Sequence, residues 1–245
     1  MQEQTMNYPS REPLCRMRPI FTVPTAPPTT GRPAVAPTVA LSEVFAATVG
    51  DAGAVGFVLS HLARGPAPVL WIQDRQSCRE TGRPCLGGLG GRSVLLLHLA
   101  RPLDVLIAAE EGLRCKALAA VVAEIYGNPP ALDFTATKRL ALRAEATGLP
   151  CWLIRHGGTP DLSAARDRWR VGSLPSAPNP DDARAPGDPR WRVDLFRSRD
   201  KAPGIWVARH ERGSDGAADR VDLAAAVPDG AVATAAGPAG QRSHR

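Results

Sequence analysis

Lysine is almost missing from this chain. Lys116, Lys138 and Lys201 are all it has among 30 basic residues in 245, and none stands in the first hundred positions. That scarcity matters wherever a flexible ammonium must neutralise a phosphate. Cysteine is sparse and scattered: Cys15, Cys78, Cys85, Cys115 and Cys151 form no CxxC pair and fall at no metal-ligand spacing with histidine. Their odd number suits reduced thiols in a cytosol, and no metal is expected; Cys78 with Cys85 as a ligand pair is the minor reading. No apolar run approaches the roughly 18–20 residues of a membrane span. Nor does the N-terminus offer a charged region followed by an apolar one, as a secretory signal would. A cytoplasmic protein without membrane contact is the expectation. Catalytic signatures are missing too. His61, His98, His156, His210 and His244 are dispersed, with no HExxH and no Ser/His/Asp pattern. His98, inside an apolar run, reads as a satisfied core or edge histidine.

What the chain does have is 24 prolines and 23 glycines, concentrated toward the ends together with alanine. That distribution predicts a disordered proline-rich arm over 1–38, a domain over 39–210 and a disordered Ala/Gly-rich tail over 211–245, leaving roughly 170 residues to fold, enough to bury a core. A marginal helix near Val221–Ala226 is the one element expected in the tail. The formal net charge of +6 and the pI of about 9.5 lean toward acidic partners such as nucleic acid without establishing one.

The clearest local pattern runs from Leu118 to Arg155. Leu118–Val122 is a short, partly β-branched apolar run that ends at a lone acid, Glu124, before Gly127-Asn128-Pro129-Pro130. A buried parallel strand leaving the sheet has this form. Thr135 is the expected cap of a helix whose apolar side is Thr137, Leu140, Ala141 and Ala144, with Gly148 as its stop. Leu142 lies off that stripe, which predicts that the helix is flanked on more than one side. Cys151–Ile154 then supplies a second buried strand, released by Gly157-Gly158. Strand, helix and strand in about forty residues make a βαβ unit with a right-handed crossover.

Upstream the same grammar repeats. A strand is expected around Ser42–Ala46, a helix from about Gly53 to Ala63, and a strand over Val69–Ile72 with Asp74 at its carboxyl end, where open α/β sheets bind ligands. The following RQSCRETGRPCLGGLGG reads as a loop; its Arg75, Arg79 and Arg83 are a candidate anion site, with a plain solvated loop the favoured reading. Ser93–Leu99 reads as a strand and Leu103–Leu113 as a helix with Leu103, Leu106 and Ile107 on its apolar side. After Pro175–Pro189, a loop, RWRVDLFRSRDKAPGIWVARHE reads as two antiparallel strands at the sheet edge. The fold class is therefore α/β: a mainly parallel twisted sheet, helices on both faces and a C-terminal antiparallel extension.

The loop ATVGDAGAVGF lies where a phosphate loop would. Such a loop needs glycines so that backbone N–H groups face the phosphate, a lysine for charge, and Ser or Thr to hold magnesium. Gly50, Gly53 and Gly56 are present; the lysine and the hydroxyl are not.

Taken in order, several stretches resemble the inducible-mutagenesis protein A (ImuA) family, a degenerate relative of the RecA recombinase core. They are SEVFAA at 42–47, Gly56-Phe57, VLWIQD at 69–74, RETGRP at 79–84, ALAAVVAEIYG at 117–127, LDFTATKRLALRAEATGLP at 132–150, AARDRWRV at 164–171 and RWRVDLFRSRDKAPGIW at 190–206. The resemblance spans roughly residues 40–210. It implies a RecA-like core that has lost its phosphate loop. Glu124 would stand where such a core keeps its magnesium-binding acid, with Gln73 and Asp74 near the acid that orients the attacking water. It also implies a non-catalytic accessory subunit of damage-induced mutagenesis, which is translesion synthesis, without a cofactor. The implied partners are a Y-family polymerase-like mutasome protein, an error-prone C-family polymerase reached indirectly, and RecA or DNA. Two other readings stand beside it: an ATP-binding or ATP-hydrolysing regulator with an atypical phosphate loop, and a cell-division inhibitor of the SulA type, which the added length at 40–90 and after 160 disfavours.

Candidate sites follow from both readings. Gly50, Gly53, Gly56, Asp74 and Glu124 mark a degenerate nucleotide site with no catalytic residue. Arg166, Arg168, Trp169, Arg170, Arg197, Arg199, Lys201 and Arg209 are candidates for contact with DNA or an acidic partner. For the arginines a solvated face is the plainer reading; Trp169 either stacks on a base or packs under the sheet, with packing favoured.

Overall fold

The computed structural model describes residues 39–89, 91–182, 184–211 and 220–225. The arm over 1–38 and the tail positions beyond those ranges, both expected to be disordered, lie outside the described residues. Within them, β1 (Leu41–Ala46), α1 (Gly53–His61), β2 (Val69–Asp74), α2 (Arg75–Thr81), β3 (Val94–Leu99), α3 (Pro102–Gly112), β4 (Ala120–Tyr126), α4 (Phe134–Thr147), β5 (Cys151–His156) and β6 (Asp167–Leu174) lead into β7 (Arg190–Ser198), β8 (Gly204–Glu211) and β9 (Arg220–Ala225). All nine strands join one sheet in the order β3-β2-β4-β5-β1-β6-β7-β8-β9. The pairings from β3 through to β6 are parallel, and those from β6 to β9 antiparallel. The expected α/β class and the antiparallel extension are both present.

Position in the sheet explains the sequence of each strand. β4 lies between β2 and β5, and its residues from Ala120 to Ile125 are buried whichever face they point to, so its run is almost wholly apolar. One face packs under α1 and carries Phe57, Val58, Trp71, Val122, Trp152, Ile154, Trp169, Trp191 and Leu195. The other packs under α3 and α4 and carries Leu41, Ile72, Val105, Val121, Ile125, Leu140 and Leu153. Phe57 is the hub of the first core, with ring centroids 5.2 Å from Trp169 and 6.4 Å from both Trp152 and Trp191. α1 reaches these tryptophans because Gly56 has no side chain: a Cβ there would sit 2.8 Å from the Trp191 ring.

α4 is stopped by Gly148, whose φ of +72° is the left-handed cap that glycine takes without strain. Thr137, Leu140, Ala141 and Ala144 are its buried side, as the periodicity predicts. Its cap, however, is Asp133 rather than Thr135. The chain turns at Pro129–Leu132, so the helix opens earlier, and the Asp133 carboxylate accepts from the Ala136 N–H at 2.7 Å. Leu142 is 57% exposed, so the helix is not flanked on that side.

Three further expectations change. The segment after Asp74 is not all loop. Asp74 caps α2 by accepting from the Ser77 N–H at 2.5 Å, the Gln76–Glu80 bond supports the turn, and Gly82 ends it. α3 buries Val105, Leu106 and Ala109, leaving Leu103 and Ile107 exposed, because the helix lies against β4, β2 and α4 rather than under a further layer. Residues 220–225 form a strand, not a helix: alternation places Val221 and Leu223 on the α1-side core while the backbone pairs with β8.

Candidate functional site

The carboxyl ends of β2, β4 and β5 bring three polar side chains to the α1 side of the sheet. Parallel register sets Gln73 beside Glu124, with His156 one strand further on. All three are no more than 1% exposed. Glu124 accepts from the Trp71 indole N–H on one oxygen and from His156 Nε2 at 2.8 Å on the other. Gln73 donates its amide N–H to the Gly82 carbonyl at 2.9 Å. These groups floor a cleft of about 340 Å3 walled by Val55, Leu59 and Leu89 and rimmed by Asp51 and Arg83.

The loop facing Glu124 is the one that carries the phosphate-loop glycines. Gly50 takes φ of +81° at the turn, Gly53 opens α1, and Gly56 lies under Trp191 and lines the cleft. Where an anion would meet the start of α1, the chain supplies its own. The Asp51 carboxylate accepts from the Gly53 N–H at 2.7 Å, from the Ser173 N–H at 2.9 Å and from the Ser173 hydroxyl at 2.5 Å. A fixed negative charge there opposes a phosphate at the same helix end.

Asp74 stands apart from this cleft. One of its oxygens caps α2 and the other accepts from the Tyr126 N–H at 3.1 Å, on the opposite face of the sheet from Gln73. Its carboxylate is committed to holding α2 against β4. Gly50, Gly56 and Glu124 are thus gathered at one place, Gly53 is fixed beside it by Asp51, and Asp74 is withdrawn from it.

No family model matches the chain. Two curated relatives do: Protein ImuA of Caulobacter vibrioides strain NA1000 / CB15N and Protein ImuA of strain ATCC 19089 / CIP 103742 / CB 15, each 36% identical over 160 residues. The chain is thus similar to ImuA proteins. Each alignment covers 60% of this chain and 62% of the relative, so the likeness spans less than two thirds of those proteins.

The second group of candidate residues is divided by the sheet. Arg168 and Trp169 are 4% and 3% exposed and are not available to a partner on the surface. Trp169 packs on Phe57. Arg168 donates through Nε to Glu43 at 2.6 Å, and Arg155 meets the other Glu43 oxygen at 3.4 Å. Both guanidiniums lie over the Phe45 ring at 5.5 and 5.3 Å, and Arg168 also faces Phe196 at 5.3 Å. Burial pulls the Arg155 guanidinium below its usual pKa, and the Glu43 charge pulls it back.

The rest lie nearer the surface, mostly with acids. Arg166 bonds Asp200 at 2.8 Å, Arg170 bonds Asp194 at 3.1 Å, Lys201 bonds Asp167 at 2.7 Å and Arg209 bonds Asp188 at 3.2 Å. Burial raises the Asp194 carboxyl despite Arg170 beside it. Arg199 approaches the Ala164 carbonyl at 3.5 Å, and Arg197 is exposed. The stretch is therefore far less basic than its arginine count. Arg75, Arg79 and Arg83 are exposed along α2 and the loop after it, and only Arg83 reaches the cleft.

Sequence reasoning missed Asp51, His156 and the Glu43 centre. Asp51 is visible in the sequence as an acid two residues before Gly53, a spacing that allows its side chain to bond that N–H. His156 and Arg155 become meaningful only once register sets β5 between β4 and β1. No helix among the described residues is long and apolar enough to cross a membrane, and no group of three metal-ligating side chains occurs among them.

Proposed function

We propose that this chain is a non-catalytic accessory subunit of a DNA-damage-induced mutagenesis complex. In this reading a RecA-like core, having lost nucleotide chemistry, presents surfaces to a Y-family polymerase-like protein, and through it to an error-prone C-family polymerase. RecA or DNA is a further partner. The observation that carries the reading is the Asp51 carboxylate at the start of α1, in a loop that has neither lysine nor a following hydroxyl. A phosphate there would meet a fixed charge of its own sign, and magnesium would lack its usual hydroxyl ligand. Kinship with the ImuA proteins supplies the mutagenic context.

Two measurements test this. Calorimetric titration with ATP and magnesium is expected to give no binding; micromolar affinity would overturn the loss of nucleotide chemistry. Deleting the gene is expected to lower mutation frequency after ultraviolet light while leaving undamaged growth unchanged. Pull-down of the polymerase-like protein from the same cells is the direct test of the partnership. An unchanged mutation frequency would reject the role.

A further inference from the structure

The cleft above Glu124 has two polar atoms that the fold leaves unused. Gln73 turns its amide nitrogen to the Gly82 carbonyl, which fixes the other end of the amide, Oε1, as an acceptor without a partner. His156 turns Nε2 to the Glu124 carboxylate, so that nitrogen carries the proton and the ring's far nitrogen, Nδ1, also has no partner. Both residues are 1% exposed and line the same cleft. A buried acceptor without a donor costs free energy, and two in one cleft are what a ligand with hydrogen-bond donors would relieve.

Charge narrows the ligand. Among the described residues lining the cleft, Asp51 and Glu124 bring two carboxylates against one guanidinium, Arg83, which sits out on the rim. Phosphates and carboxylates are disfavoured there, whereas a cation is drawn in. The walls are aliphatic, Val55, Leu59 and Leu89, and suit a flat or hydrocarbon body behind the charged head. A planar group with several N–H donors suits a lining that holds Gln73 and His156, with the Glu124 charge beneath.

We propose that this cleft binds an amidinium or guanidinium group, carried by a small molecule or by an arginine side chain of a protein. The site stands on its own residues and does not depend on the mutagenic role. The test uses the full chain labelled with 15N and follows the Trp71 indole N–H, which bonds Glu124 directly; Glu124→Gln identifies its resonance. Benzamidine, a planar amidinium on an apolar ring, is expected to shift that resonance saturably in the millimolar range. Benzamide, its neutral isostere, is expected to leave it in place. Gln73→Met, which keeps shape and removes the acceptor, should weaken benzamidine about tenfold. No saturable shift with benzamidine, an equal shift with benzamide, or undiminished binding by Gln73→Met would each overturn the proposal. Free arginine and the tripeptide Gly-Arg-Gly separate the sources: tighter binding of the tripeptide assigns the site to a protein side chain, tighter binding of free arginine to a small cation. No nucleotide is present in this experiment, so an ATP-binding result against the proposed function leaves its readout intact.

Discussion

Two buried glutamates sit on opposite faces of the sheet, and their surroundings could hardly differ more. Glu43, on the α3/α4 side, is enclosed by two guanidiniums and two phenylalanine rings. Glu124, on the α1 side, is held by an indole and an imidazole at the floor of a cleft. The first is a centre in which charge answers charge inside packed side chains. The second has neutral-capable partners, open space above it and unsatisfied acceptors beside it. Burial alone therefore does not mark a site: Arg155 Nε and Arg168 Nη2 beside Glu43 lack a partner just as Gln73 Oε1 and His156 Nδ1 do beside Glu124, and what distinguishes the two is the open cleft above Glu124.

The contrast predicts unequal costs of neutralisation. Glu43→Gln leaves two buried guanidiniums without a counter-charge and is expected to lower unfolding free energy by about 3–5 kcal/mol, read from urea denaturation. Glu124→Gln keeps its shape and an acceptor, and its partners carry no obligatory charge. Its expected cost is about 1–3 kcal/mol, and a cost equal to that of Glu43→Gln would erase the distinction. Asp51→Ala frees the Gly53 and Ser173 donors at the surface, with an expected loss of about 1 kcal/mol.

A further effect concerns acid. His61, on the α1 side against Phe57 and Trp152, is lowered from 6.5 to about 4, chiefly by burial and against the bond to the Phe57 carbonyl. Its folded pKa lies below its unfolded one, so the unfolded state takes up the proton first. Stability should fall as pH drops from about 6.5 to about 4 and level off below. His61→Phe is expected to flatten the part of the urea-midpoint profile in that window; an unchanged slope would show that the imidazole is not the group responsible.

Much of this fold was legible in the sequence for a physical reason. The central strands are covered on both faces, so Val121–Ala123 and Cys151–Ile154 are apolar without interruption, and the α4 stripe of Thr137, Leu140, Ala141 and Ala144 follows the helical period. What resisted reading was at the margins of the sheet. α3 has nothing over its outer side, so Leu103 and Ile107 mimic a core stripe they do not form. Residues 220–225 carry small alanines that suit a helix, and only the open edge of β8 makes them a strand. The site was legible in half. Gly50, Gly56 and Glu124 could be singled out in the sequence and do line one cleft, but pairing of Glu124 with His156 depends on strand order. Trp169 packs under the sheet, the favoured reading, whereas Arg168, on the opposite face of β6, is buried because strand pairing sets it beside Glu43 on β1, a partner no local pattern shows.

Asp51 has one more consequence. A bound anion leaves when its concentration falls, but a carboxylate built into the loop cannot diffuse away. Tethering gives it an effective concentration of order millimolar or higher at the helix end. Any free anion must compete with it, which weakens that anion's apparent affinity for the helix end. The start of α1 thus carries an internal ligand, and the same carboxylate, through Ser173, ties the loop from Ala47 to Ala52 to β6.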